Sequence, residues 1–168
     1  MFKKKIFHYA KEFLFVILFM SIIANILSLY KSQELNQEPL QIKSFKLIDN
    51  SNYNIDSSKP FIIHFWATWC PTCKLEASNI ELLSKYYNVV TIAVNSGSDY
   101  EIHSYLKERD LDFEVVNDTN SELSKIFKIQ AYPTTFIYDK NQNLVFSEVG
   151  YTSTFGLFLR MWWVDFLK

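Results

Sequence analysis

The hydrophobic pattern changes character twice along the chain. From Phe13 to Tyr30, "FLFVILFMSIIANILSLY" carries no charge, and only Ser21, Asn25 and Ser28 interrupt it with small polar side chains. As a helix this run reaches about 27 Å, close to the hydrocarbon thickness of a bilayer. It is apolar on every face, unlike a surface helix of a soluble domain. Residues 31–40, "KSQELNQEPL", are polar, contain Pro39 and show no period, which reads as a tether. From Gln41 onward, strand and helix signals alternate.

"FIIHFWA" (Phe61–Ala67) is a continuous run of β-branched and aromatic residues and predicts a strand buried on both faces. "KLEASNIELLSKYY" (Lys74–Tyr87) predicts a helix with Leu75, Leu82, Leu83 and Tyr86 on one face. "VVTIAV" (Val89–Val94) is a second buried strand, and strand, helix and strand at this spacing make a right-handed parallel βαβ unit. A helix at Tyr100–Arg109, a short strand at Phe113–Val116 and a helix over Asn120–Phe127, opening on Asn120 as a cap, read as an insertion. "TTFIYD" and "LVFSEVG", separated by "KNQN", predict an antiparallel hairpin, and a closing amphipathic helix covers Thr154 to Leu167. The expected fold is α/β: one domain over residues 41–168, its mixed central sheet flanked by helices, behind an N-terminal transmembrane helix.

Charge supplies the orientation. Lys3, Lys4, Lys5 and Lys11 precede the apolar run, while a mixed set of Lys31, Glu34 and Glu38 follows it. The positive-inside rule then makes residues 1–12 a cytoplasmic flank, 13–30 a single-pass signal-anchor in a cytoplasmic membrane and 31–40 a linker, with the domain on the outer face. No small-x-small site follows Tyr30, which favours a retained anchor over a cleaved signal peptide. With the four lysines and Glu12 of the first twelve residues set aside, 13 basic and 17 acidic residues remain, so nothing in the charge points to nucleic acid.

Both cysteines lie in "WATWCPTCKLEA", at Cys70 and Cys73. A structural zinc site wants four ligands, and the histidines at 8, 64 and 103 do not supply a second pair at ligand spacing. Copper remains open through two soft thiolates. A disulfide across two residues closes too short a loop to constrain the unfolded chain much, which weakens a purely structural reading. The redox reading makes best use of the position. Cys70 falls where a strand gives way to a helix, so unpaired N–H groups and the positive end of the helix dipole stabilise its thiolate. Pro71 suits the first helical turn. Cys73, one turn further in, is placed to resolve a mixed disulfide on Cys70. Trp66 and Trp69 are expected to wall the site.

"FWATWCPTCKLE" resembles the active-site stretch of the thioredoxin superfamily, in particular the membrane-anchored, TlpA-like thiol–disulfide oxidoreductases of the bacterial envelope. The likeness runs from about Gln41 to the C-terminus and includes "AYPTTFIYDKNQNLV". It implies a redox-active Cys70–Cys73 disulfide and no cofactor. Pro133 takes the place of the family's cis-proline, and Tyr132, Pro133 and Thr134, with Trp69, Pro71 and Thr72, form the partner-docking surface. The implied partners are disulfide-containing envelope proteins and a membrane thiol donor of the DsbD type. His64 stands where many thioredoxins carry a buried carboxylate and is a candidate proton shuttle, the alternative being a satisfied core residue. Asp99, just after "AVN", is a second candidate, near the place where some TlpA-like reductases carry a glutamate; the alternative is a solvated cap. Lys74 offers a charge near the thiolates. Thr72, where DsbA-like oxidants have histidine, implies a less oxidising couple. Cytochrome c maturation of the DsbE type is the alternative role, although "AYPTT" departs from that type's signature and fits better with the copper-tolerance thioredoxins. A non-enzymatic peptide- or copper-binding module is the rival of another class. For Trp162 and Trp163, packing of the last helix is expected ahead of contact with a bilayer interface.

Overall fold

The elements of the computed structural model follow the alternation in the hydrophobic pattern closely. They run α1 (Phe2–Ser32), β1 (Ser44–Lys46), β2 (Asn52–Asn54), β3 (Phe61–Trp66), α2 (Pro71–Ser84), β4 (Asn88–Val94), α3 (Asp99–Glu108), β5 (Glu114–Asp118), α4 (Glu122–Ile126), β6 (Thr134–Tyr138), β7 (Leu144–Val149) and α5 (Thr154–Leu167). The structure describes residues 2–56 and 58–167. Met1, Ser57 and Lys168, and the side chains of residues 2–8, 10, 29 and 167, lie outside that description, so of the lysine side chains of the expected basic flank only that of Lys11 falls within it.

One five-stranded sheet in the order β5-β4-β3-β6-β7 organises the domain. β3, β4 and β5 are parallel, whereas β6 is antiparallel to both β3 and β7. Central β3 is buried along its whole length, as a strand covered on both faces must be. Side chains alternate across the pleat. Ile62 and Trp66 face a layer that includes Ile80, Leu83, Ile102, Leu157 and Met161 of α2, α3 and α5. Phe61, Ile63 and Phe65 face Leu35, Leu40, Phe45 and Phe127. The parallel half places the C-terminal ends of β3 and β4 at one edge, where α2 begins.

Four sequence expectations change. The inward face of α2 is not the leucine stripe: Leu75, Leu82 and Tyr86 are exposed, and Cys73, Glu76, Ile80 and Leu83 turn inward at helical spacing. The angle at which α2 leaves the cysteine turn selects the face, and the hydrophobic pattern alone does not encode that angle. Residues 31–40 are not a free tether, because Leu35 and Leu40 are buried in the second core layer and the Asn36 and Leu40 N–H groups donate to the Phe127 and Gln142 carbonyls. Asn120 does not cap α4. Asp118 does so from the end of β5, its carboxylate accepting the N–H groups of Leu123 and Ser124. Finally, β1 and β2 pair as a small antiparallel ribbon, too short and polar to stand out in the sequence.

α1 is the one helix, among the described residues, long and apolar enough to cross a membrane, over Lys11–Ser32. Its C-terminal half rests on β7. The Ser28 hydroxyl donates to Glu148 at 3.3 Å and accepts the Val149 N–H at 2.9 Å.

Candidate active site

The site is assembled at the junction of β3 and α2. Cys70 is the N-cap of α2, in extended conformation, and its Sγ accepts the Cys73 N–H at 3.2 Å. A sulfur here occupies the position where Ser or Asp normally caps a helix. The same N–H and the helix dipole would favour a thiolate in the reduced form. Pro71 follows in the first turn, where its missing donor costs nothing. Cys70 and Cys73 form a disulfide with their Cα atoms 5.3 Å apart. Cys70 is 5% exposed and Cys73 2%, so Cys70 is the outer sulfur of a sheltered pair.

A second segment closes over this sulfur. The Tyr132–Pro133 peptide is cis. The Tyr132 carbonyl lies 3.6 Å from Cys70 Sγ, and the Tyr132 ring meets the exposed Trp69 ring edge-on at 5.6 Å. Thr134 is buried and donates to the Ala131 carbonyl at 2.8 Å. Gly150, at φ +97°, ends β7 and donates its N–H to the Pro133 carbonyl at 2.8 Å. A side chain would strain that left-handed conformation. Trp69 is held by its indole N–H on the Asn95 carbonyl, and the Thr68 N–H donates to Ser96. Of the expected walls only Trp69 stands at the site. Trp66 is buried beneath α3, against Tyr105 and Phe113, with its N–H donating to Thr91. Thr72 is half-buried beside exposed Pro71, and Lys74 is exposed.

The two candidate proton carriers sit differently. His64 is buried within β3, with Nδ1 2.9 Å from the Thr135 hydroxyl. Burial pushes its pKa down to about 3, so the ring is neutral at physiological pH and reads as a satisfied core residue. Asp99 opens α3 and accepts from the Asn117 amide at 2.8 Å. Neighbouring Ser98 and Glu101 close a capping box on that helix.

Sequence reasoning missed Glu76. It lies one turn beyond Cys73 on the buried face of α2, fully inaccessible to solvent. Its Oε1 accepts the Thr152 N–H at 3.1 Å, and its Oε2 has no hydrogen-bond partner. Burial, with a smaller contribution from the charge of Glu148, pushes its pKa up to about 8. The carboxyl is therefore largely protonated at neutral pH, beside the inner cysteine. No spacing rule marks this residue; the one available signal is a carboxylate three positions after the second cysteine.

Comparison with known proteins places this geometry. A profile described as the AhpC/TSA family matches residues 33–147. The chain belongs to that family. A thioredoxin-like protein of Haemophilus influenzae is 34% identical over 115 residues, which are 67% of this chain and 68% of the relative. The thiol–disulfide oxidoreductase ResA of Bacillus subtilis is 28% identical over 126 residues, 70% of each chain. Among solved structures, StoA from Bacillus subtilis superposes with a TM-score of 0.63 at 23% identity, over 73% of this chain and 96% of that one. The fold is thus the thioredoxin-like α/β fold, and this member of the family is a thiol–disulfide oxidoreductase with a close Cys70–Cys73 pair. The family match ends at residue 147, before α5 begins, and starts just after α1.

Proposed function

We propose that the chain is a membrane-anchored enzyme that reduces or exchanges disulfides in envelope proteins. Residues 1–12 lie in the cytoplasm, 13–30 cross the inner membrane, and the domain faces the periplasm. The observation that carries this reading is the place of Cys70, a sulfur capping α2 beneath the carbonyl that precedes cis Pro133.

The exchange follows from that geometry. The Cys70 thiolate attacks one sulfur of a partner disulfide and forms a mixed disulfide. The partner's other sulfur leaves as a thiolate and takes up a proton. Cys73 then loses its proton and attacks Cys70 Sγ, closing the Cys70–Cys73 bond and releasing the partner as a dithiol. Two electrons pass from enzyme to partner, and a membrane thiol donor of the DsbD type returns them. Glu76 is the proton carrier for Cys73. Its ionised form takes the proton as Cys73 attacks, and its acid form returns one when the donor reopens the disulfide. The partner's backbone docks along Tyr132, Pro133 and Thr134, flanked by Trp69, Pro71 and Thr72. Thr72 adds no charge beside Cys70, which supports a couple less oxidising than DsbA.

The test is trapping. A Cys73→Ala variant, expressed as the full chain, accumulates mixed disulfides through Cys70, and the trapped partners identify the substrates, apocytochrome c among them if the alternative role holds. Absence of adducts, with a pair that stays silent in a dithiol titration, rejects the enzyme in favour of the peptide- or copper-binding module. Equilibration with glutathione gives the direction: a potential near −270 mV, the thioredoxin range, means a reductant, and one near −120 mV, the DsbA range, an oxidant.

A further inference from the structure

Helix α5 is apolar on two faces. Leu157, Met161 and Val164 are buried against the sheet and α2. On the opposite side Phe155, Leu159, Trp162 and Phe166 recur at intervals of four, three and four residues, with Trp163 at the margin, and all five are exposed. Trp162 and Trp163 are 52% and 49% exposed, so the expectation that they pack the helix onto the sheet is overturned. The Trp162 and Phe166 rings stack on each other at 5.5 Å, facing outward. A soluble domain has no reason to present such a stripe to water.

Its surroundings say what covers it. α1 does not leave the domain at Ser32 on a loose leash. Met20, Ala24 and Ser28 of α1 line one cleft with Glu148 at the end of β7 and with Gly156 and Arg160 of α5. The hydrogen bonds of Ser28 with Glu148 and Val149 hold the outermost turn of the apolar span against the domain, at the level of the Glu148–Arg160 pair. Gly156 and Arg160 lie on the flank of α5 next to the aromatic stripe. Whatever medium surrounds the outer turns of α1 also meets that stripe. The charge on this flank is cancelled, since Arg160 Nε donates to Glu148 at 2.7 Å, and the other charge among the described residues of α5 is Asp165.

We propose that α5 is a membrane-interface helix, with Phe155, Leu159, Trp162, Trp163 and Phe166 seated at the headgroup–acyl boundary of the bilayer that α1 crosses. This rests on α1 being a retained anchor. Aromatic rings collect at that depth, and an in-plane helix buries its apolar face there. With no basic cluster on the helix, the attraction is apolar and does not require anionic lipid. Two membrane contacts hold the domain in one orientation above the bilayer, where a single anchor on a tether would let it swing.

The test reconstitutes the full chain into phosphatidylcholine vesicles with ordinary or brominated acyl chains. Co-flotation with the vesicles reads the anchor; tryptophan emission reads α5. The expected result is flotation, with a loss of emission in brominated lipid that disappears in a Trp162→Phe/Trp163→Phe variant and persists at high salt. Trp66 is buried and Trp69 stands at the cysteine site, so neither supplies that difference. Flotation with equal emission in both lipids overturns the interface helix and leaves the anchor standing; energy transfer between labelled chains would then show a second copy on the stripe. Failure of the intact chain to float overturns both.

Discussion

Helices α2 and α5 lie side by side on one face of the sheet and break the amphipathic rule in opposite directions. α2 turns a carboxylate inward, at Glu76, among Cys73, Ile80 and Leu83. α5 keeps an apolar face inward and adds a second one outward. Neither departure helps a soluble domain to fold: a buried carboxyl with one unpaired oxygen loses solvation, and an exposed aromatic stripe invites association. In α2 the departure sits one turn from the chemistry, and in α5 it sits beside the apolar helix α1. The difference teaches where to look for function in each, inside α2 and outside α5.

The largest effect is expected at the inward departure. Glu76→Gln keeps the shape and the Thr152 hydrogen bond but cannot exchange a proton, so resolution by Cys73 slows about 10²-fold, the lower end of general acid–base contributions. Stopped-flow release of a mixed-disulfide partner measures it, and an unchanged rate and pH profile would remove Glu76 from the mechanism. The same variant changes stability with a definite sign. Because the folded pKa is raised to about 8, the native state holds a proton that the unfolded chain has already released above its ordinary value of 4.5. The Glu76 contribution to stability therefore falls as pH rises from about 4.5 to about 8, by several kcal/mol in all; it shows as a net fall above about 6.5, and Glu76→Gln abolishes it in urea titrations. His64 opposes it on the acid side. Its pKa, lowered to about 3, makes the fold lose stability as pH drops below 6.5, and the variant leaves this acid limb intact.

The outward departure is tested by comparing the two faces of α5. Leu157→Ala opens a cavity in the core and costs about 2–5 kcal/mol. Leu159→Ala, two residues away on the exposed stripe, changes the stability of the detergent-solubilised chain by less than about 0.5 kcal/mol. Denaturant midpoints at constant slope separate the two. A large cost at Leu159 would mean that the stripe packs within the protein.

The sequence-level reading succeeded where burial is continuous or chemistry is local. β3 and β4 announced themselves as unbroken apolar runs, the cysteine turn carried its helix start in Pro71, and α5 was predicted with the bounds observed. It failed where a residue's environment is made by distant chain. Glu76 reads as a surface residue by its charge, although it shares a helical face with Ile80 and Leu83, and it is buried with Thr152, far along the chain, closing over it. Leu35 and Leu40 look incidental in a polar segment until the second core layer receives them. Trp162 and Trp163 read as core because tryptophan is apolar, whereas α5 already fills its inward face with Leu157, Met161 and Val164.

A small effect at Asp99 completes the comparison of carboxylates. Asp99 is a candidate by its place after β4, yet its carboxylate accepts from Asn117 and lies in the first turn of α3, where a negative charge complements the helix dipole. Asp99→Asn should cost roughly 0.3–1 kcal/mol of stability through that dipole and leave the rate and pH profile of Cys73 attack unchanged. Measured beside Glu76→Gln in the same stopped-flow assay, the pair of variants decides which helix supplies the proton carrier. A shifted profile in Asp99→Asn, with a normal one in Glu76→Gln, would move that role from the buried face of α2 to the exposed start of α3.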